Sequence, residues 1–108
     1  MKSDSAILAL SALAQEHRLA AFRLLVQAGP AGMAAGAIAA TLRVPASSLS
    51  FHLAQLQQAG LVSQRREGRS LIYSADFDRM RWLVGFLTEN CCAGEPCAVP
   101  LTPIACEA

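Results

Sequence analysis

Apolar residues along this chain recur mostly at helical spacing, and the places where that spacing breaks mark out its elements. Residues 5–14 set Ile7, Leu8, Leu10 and Leu13 on a helical pattern. Residues 16–28 continue it with Leu19, Phe22, Leu24, Leu25 and Val26, until Gly29 and Pro30 stop it. Residues 32–42, "GMAAGAIAATL", predict a short alanine-rich helix carrying Met33, Ile38 and Leu42. The turn "RVPASS" then places Pro45 ahead of serines suited to an N-cap. The following helix, residues 46–59, is informative when projected at 100° per residue. Leu49, Leu53 and Leu56 form one narrow stripe, while Ser47, Phe51, Ala54 and Gln58 fall opposite it. Ser48, Ser50, His52 and Gln55 flank the stripe, and Gly60 suits the position just past the helix end.

The pattern changes after Gly60. "LVSQRREGRSLIYSAD" is apolar at its two ends and carries Arg65, Arg66, Glu67, Gly68 and Arg69 between them, which predicts two short strands around a basic turn. Helical spacing resumes over residues 76–90 with Met80, Leu83, Val84 and Leu87, widened by Trp82 and Phe86. Gly94, Pro96, Pro100 and Pro103 forbid a regular continuation. The expected architecture is mainly α with a small β-hairpin, a winged helix-turn-helix. Its second helix would lie in a major groove and its basic wing would reach the neighbouring backbone.

Length and charge sharpen this reading. A chain of 108 residues holds one core, so a single domain over residues 1–90 is expected, followed by a tail over residues 91–108. The formal net charge is only +1, but it is unevenly spread. Residues 43–81 carry six arginines against Glu67, Asp76 and Asp78, while residues 82–108 carry Glu89, Glu95 and Glu107 and no basic residue. The middle segment suits a polyanion, and the tail does not. Nothing near the amino end has the form of a signal peptide and no run reaches membrane-spanning length, so a cytoplasmic protein with no membrane partner is expected.

At this point a family resemblance becomes visible. "VPASSLSFHLAQLQQAGLVSQRREGRSLIYS" resembles the recognition helix and wing of the ArsR/SmtB-type metal-responsive repressors, and "EHRLAAFRLL" is similar to their first conserved helix. The matching positions are Ser47, Ser50, His52, Leu53, Leu56, Gly60, Leu61, Val62, Gly68 and Tyr73. The resemblance implies a homodimeric repressor, joined through its first and last helices and bound to an imperfect palindrome in double-stranded operator DNA. Candidate DNA-contacting residues are Ser47, Ser48, Ser50, Phe51, His52 and Gln55 on the helix, with Arg65, Arg66 and Arg69 on the wing. Ser47 and Ser48 have an alternative role as caps, and His52 as a structural histidine. Phe51 either contacts a thymine methyl or sugar, or is partly buried.

Two inducer sites common in such proteins are missing. Ala34 and Gly36 stand where a Cys-x-Cys pair would lie, and no histidine follows His52. All four cysteines instead fall after residue 90. Cys91, Cys92 and Cys97 at short range suit a soft trivalent ion, As(III) or Sb(III), which takes three sulfurs in a pyramid. Adjacent side chains on a helix diverge by about 100°, so Cys91 and Cys92 can share an ion only where the helix ends. Gly94 and Pro96 would then return the chain to deliver Cys97, the ion itself ordering the tail. Some arsenic-responsive members of the family likewise carry a vicinal cysteine pair at the end of the last helix. Methylarsenite needs only two thiolates, and Cys106 reads as a spare thiol. Zinc, cadmium or lead, a redox disulfide, and a thiol-dependent arsenic-handling enzyme or metallochaperone remain as alternatives for the same sulfurs. Against the last stand the absence of an anion cradle near the cysteines and the presence of the helix-turn-helix.

Overall fold

The fold, taken from a computed structural model, is described for residues 2–94. Five helices and three strands follow one another as α1 (Ser3–Leu13), α2 (Glu16–Ala28), β1 (Met33–Ala34), α3 (Ala35–Leu42), α4 (Ala46–Gln58), β2 (Val62–Glu67), β3 (Ser70–Ala75) and α5 (Phe77–Leu87). This is the winged helix-turn-helix expected from the pattern. Its core is a cluster centred on the fully buried Leu25, Ile38, Leu49, Leu53, Leu56 and Leu61. Each such side chain removed from water contributes roughly 1.5–3 kcal/mol, enough to hold α4 at a fixed depth. Among the described residues no helix is long and apolar enough to cross a membrane.

Local chemistry sets the element boundaries. The Gln15 side chain caps α2 by accepting from the Arg18 amide at 2.9 Å, and the Arg18 guanidinium donates to the Ala12 carbonyl at 2.7 Å, tying the start of α2 to the end of α1. Gly29, with φ of 80°, ends α2 as expected. Past α4, Gly60 takes a φ of 79° and donates to the Gln57 carbonyl, while the Leu61 amide donates to that of Leu56. That bond pair is the left-handed termination which glycine permits at little cost. Asp76 then caps α5 by accepting from the Arg79 amide at 3.0 Å.

Three expectations need correction. Residues 33 and 34 do not begin a helix: they form β1, which pairs antiparallel with β3 through Met33 with Tyr73 and Ala34 with Ile72, so the hairpin becomes a three-stranded sheet in the order β1, β3, β2. Gly32 makes this possible, because a Cβ there would run into the Tyr73 carbonyl. Pro45, not a serine, occupies the cap position of α4, leaving Ser47 and Ser48 exposed in its first turn. Finally, α5 stops at Leu87 rather than near residue 90.

The two ends of the described chain are apolar on the outside. α1 buries Ala6, Ala9 and Ala12 and turns Ile7, Leu8 and Leu10 to solvent. α5 buries Met80 and Leu83 and exposes Val84 and Leu87. Since α1 packs beside α5, the exposed side chains lie on neighbouring elements.

Candidate nucleic-acid interface and thiol pair

The helix-turn-helix consists of α3, the turn at Arg43 and Val44, and α4. Ile38 anchors α3, and Leu49, Leu53 and Leu56 bury the inner stripe of α4. The opposite row, Ser47, Phe51, Ala54 and Gln58, is exposed throughout, so the helix is rotated as its leucine spacing required. Phe51 is 58% exposed. In the first turn the amides of Ala46, Ser47 and Ser48 precede the first helical bond, which the Leu49 amide donates to the Pro45 carbonyl at 2.9 Å. Such amides, at the positive end of the helix dipole, suit an anion such as phosphate.

The flanking residues are less available. The Ser50 hydroxyl donates to the Ala46 carbonyl at 3.0 Å, which engages its proton on its own helix. Gln55 and His52 are half-buried. The His52 ring lies 5.6 Å from that of His17 on α2 and 5.9 Å from that of Phe51, between centroids. Its Nδ1 is buried without a hydrogen-bond partner among the described residues. Burial, followed by the charges of Arg18 and His17, pulls the His52 pKa below its ordinary value.

The wing is an alternating structure, so its arginines part company. Pairing of Val62 with Ala75, Gln64 with Tyr73 and Arg66 with Leu71 puts these six on one face, and Val62, Tyr73 and Ala75 bury it at the core end. Arg66 extends that face beyond the core and is exposed. Arg65 points the other way. Its guanidinium donates to the Ala31 carbonyl at 2.7 Å and pairs with Glu67 at 3.2 Å, fastening the wing to the α2–β1 loop. Arg69 is exposed in the two-residue turn beside Gly68, whose φ is 62°. Of the three wing arginines, Arg66 and Arg69 therefore face outward most freely, and Arg65 is partly spent on the fold.

These elements meet known proteins at many points. A helix-turn-helix domain model matches residues 13–65. Nodulation protein NolR of Rhizobium meliloti is 36% identical over 80 residues, spanning 74% of this chain but only 63% of NolR. The transcriptional regulator HlyU of Vibrio vulnificus has a crystal structure that is 30% identical, covers 83% of this chain and 91% of HlyU, and superposes with a TM-score of 0.60. An ArsR-like transcriptional regulator from Rhodococcus sp. RHA1 is 26% identical, covers 85% of this chain and 83% of its own, and has a TM-score of 0.71. The chain belongs to the ArsR family. HlyU and the Rhodococcus protein are transcriptional regulators, which favours a regulator over the enzymatic alternative.

The expected thiol site of this ArsR-family chain begins past the end of α5. After α5 the backbone reverses through left-handed residues, Asn90 at φ 56°, Cys92 at 57° and Ala93 at 56°, within a short turn over Cys91–Gly94. A helix would have splayed Cys91 and Cys92, but the turn brings their sulfurs to 3.4 Å. Cys91 is half-buried, and Cys92 is exposed and disulfide-bonded. Cys97 and Cys106 lie outside the described residues. Among the described residues no group of three His, Cys, Asp or Glu side chains that could hold a metal ion is found. No spacing argument identified the Ala31 tie of Arg65, because it joins segments 34 residues apart.

Proposed function

We propose that this chain is a homodimeric, DNA-binding repressor that releases its operator when trivalent arsenic or antimony binds its C-terminal thiols. DNA binding rests on α4, whose outer row and first-turn amides are open to a major groove, flanked by Arg66 and Arg69. Dimer formation rests on the neighbouring apolar faces of α1 and α5, which a single subunit leaves in water. A second copy would bury both and set two α4 helices about one helical turn of DNA apart.

Metalloid sensing is carried by the convergence of the Cys91 and Cys92 sulfurs where α5 gives way to a turn. Reduced, these two thiols with Cys97 would form a soft three-sulfur donor set, and methylarsenite would need the first two alone. The ion can act only by favouring one conformation over another. Its grip just past α5 would shift that helix against α1, hence the dimer and the spacing of its recognition helices. A coupling of about 3 kcal/mol lowers operator affinity more than a hundredfold.

The test is a variant series on upstream intergenic duplex DNA with reduced protein. Cys91→Ser, Cys92→Ser and Cys97→Ser should each bind DNA normally and ignore arsenite, and Cys106→Ser should behave as the parent. Retained release in Cys97→Ser means that two sulfurs suffice, the number methylarsenite requires; retained release in the Cys91→Ser and Cys92→Ser proteins defeats metalloid sensing here. A redox reading is favoured by one observation, the disulfide at Cys92. It predicts that oxidation alone, without any ion, changes DNA affinity.

A further inference from the structure

Residues on the outer row of α4 differ from what polar base recognition would call for. At its centre stand Phe51 and Ala54, both exposed and both without a hydrogen-bonding side chain. Ser47 and Gln58 at the two ends can hydrogen-bond, whereas Ser50 is engaged with its own helix and His52 leans towards α2. An exposed phenylalanine in the middle of such a row is costly in water, and it lies on α4 rather than on α1 or α5. The Phe51 and His52 rings meet in an edge-type arrangement, which limits where Phe51 can swing.

In a major groove, the base-edge group that an apolar side chain recognises is the C5-methyl of thymine; the other edges there offer donors and acceptors that Phe51 and Ala54 would strip of water without replacing. We infer that Phe51, seconded by Ala54, is a specificity-determining residue that selects thymine at the centre of each operator half-site through its 5-methyl group. This rests on the DNA-binding part of the proposed function and is independent of the thiols. Arg66, Arg69 and the first-turn amides position the helix on phosphates, and the methyl contact chooses the base.

The experiment starts by selecting duplexes from a random 30-base-pair library with the reduced full chain, then resynthesising the best one with deoxyuridine in place of each thymidine in turn. Deoxyuridine differs from thymidine only in lacking the methyl. Removing the methyl under Phe51 should weaken binding about fourfold, the worth of one buried methyl-sized group. Restoring it as 5-methylcytosine in a half-site carrying cytosine there should recover part of the loss. Phe51→Ala, at an exposed position that leaves folding intact, should bind thymidine and deoxyuridine duplexes alike and keep its salt dependence, because phosphate contacts are untouched. Indifference of the parent protein to every deoxyuridine replacement, or a thymidine preference surviving in Phe51→Ala, overturns the inference while leaving DNA binding in place. Failure to select any duplex overturns the proposed function and this inference together.

Discussion

At the scale of single residues, Arg43 and His52 show local stability given up beside the surface assigned to DNA. Arg43 holds a φ of 56° at the end of α3, a left-handed conformation that costs a non-glycine residue about 1–2 kcal/mol. Glycine would sit there more easily, and arginine in its place puts a cation beside the first turn of α4. Arg43→Gly should therefore leave the melting temperature unchanged or raise it, by up to about 1 kcal/mol in stability, while weakening DNA binding and reducing its salt dependence. Unchanged DNA affinity would leave the strain without a purpose. For His52, burial and the charges of Arg18 and His17 hold the folded pKa below 6.5, the value an unfolded chain would show. Between the two pKa values the unfolded state binds more protons, so stability is complete above about pH 6.5 and falls as pH drops through the folded pKa. Thermal melts across that range should show the fall, and His52→Gln should lose it; the same pH dependence in the variant assigns it to other groups.

At the scale of elements, the wing carries the clearest division of labour. Arg66→Ala with Arg69→Ala should flatten the plot of log affinity against log salt by up to roughly two units per subunit, about 0.9 for each phosphate lost. Arg65→Ala should instead lower stability and leave that slope nearly intact, since its guanidinium is engaged with Ala31 and Glu67. Equal flattening by both would mean that Arg65 abandons those partners on DNA. Helices were legible in the sequence wherever one stripe had to be buried: Leu49, Leu53 and Leu56 oriented α4 and placed Phe51 opposite, and its exposure in the fold decides against the partly buried alternative. β1 was not legible, because two residues carry no period and their pairing depends on how closely Gly32 lets the chain approach Tyr73. Nor did the leucines of α1 show which way they face. The subunit buries alanines there, where α2 and α4 pack close, and keeps its larger apolar groups outside.

At the scale of the whole molecule, the surfaces assigned to DNA, to a second subunit and to the inducer are consecutive. α5 joins them, since it packs on α1, exposes Val84 and Leu87, and ends four residues before Cys91. The expectation of an inducer site came from the clustering of cysteines in the sequence, of which Cys91 and Cys92 lie within the described residues. The convergence of two of them did not follow from spacing, because it needs the left-handed turn after Asn90. The most direct measurement is the affinity of reduced protein for its operator, read by fluorescence anisotropy at fixed salt, with and without one equivalent of arsenite per subunit. The account predicts a loss of about a hundredfold or more. Operator held with the same affinity by arsenite-loaded protein contradicts it.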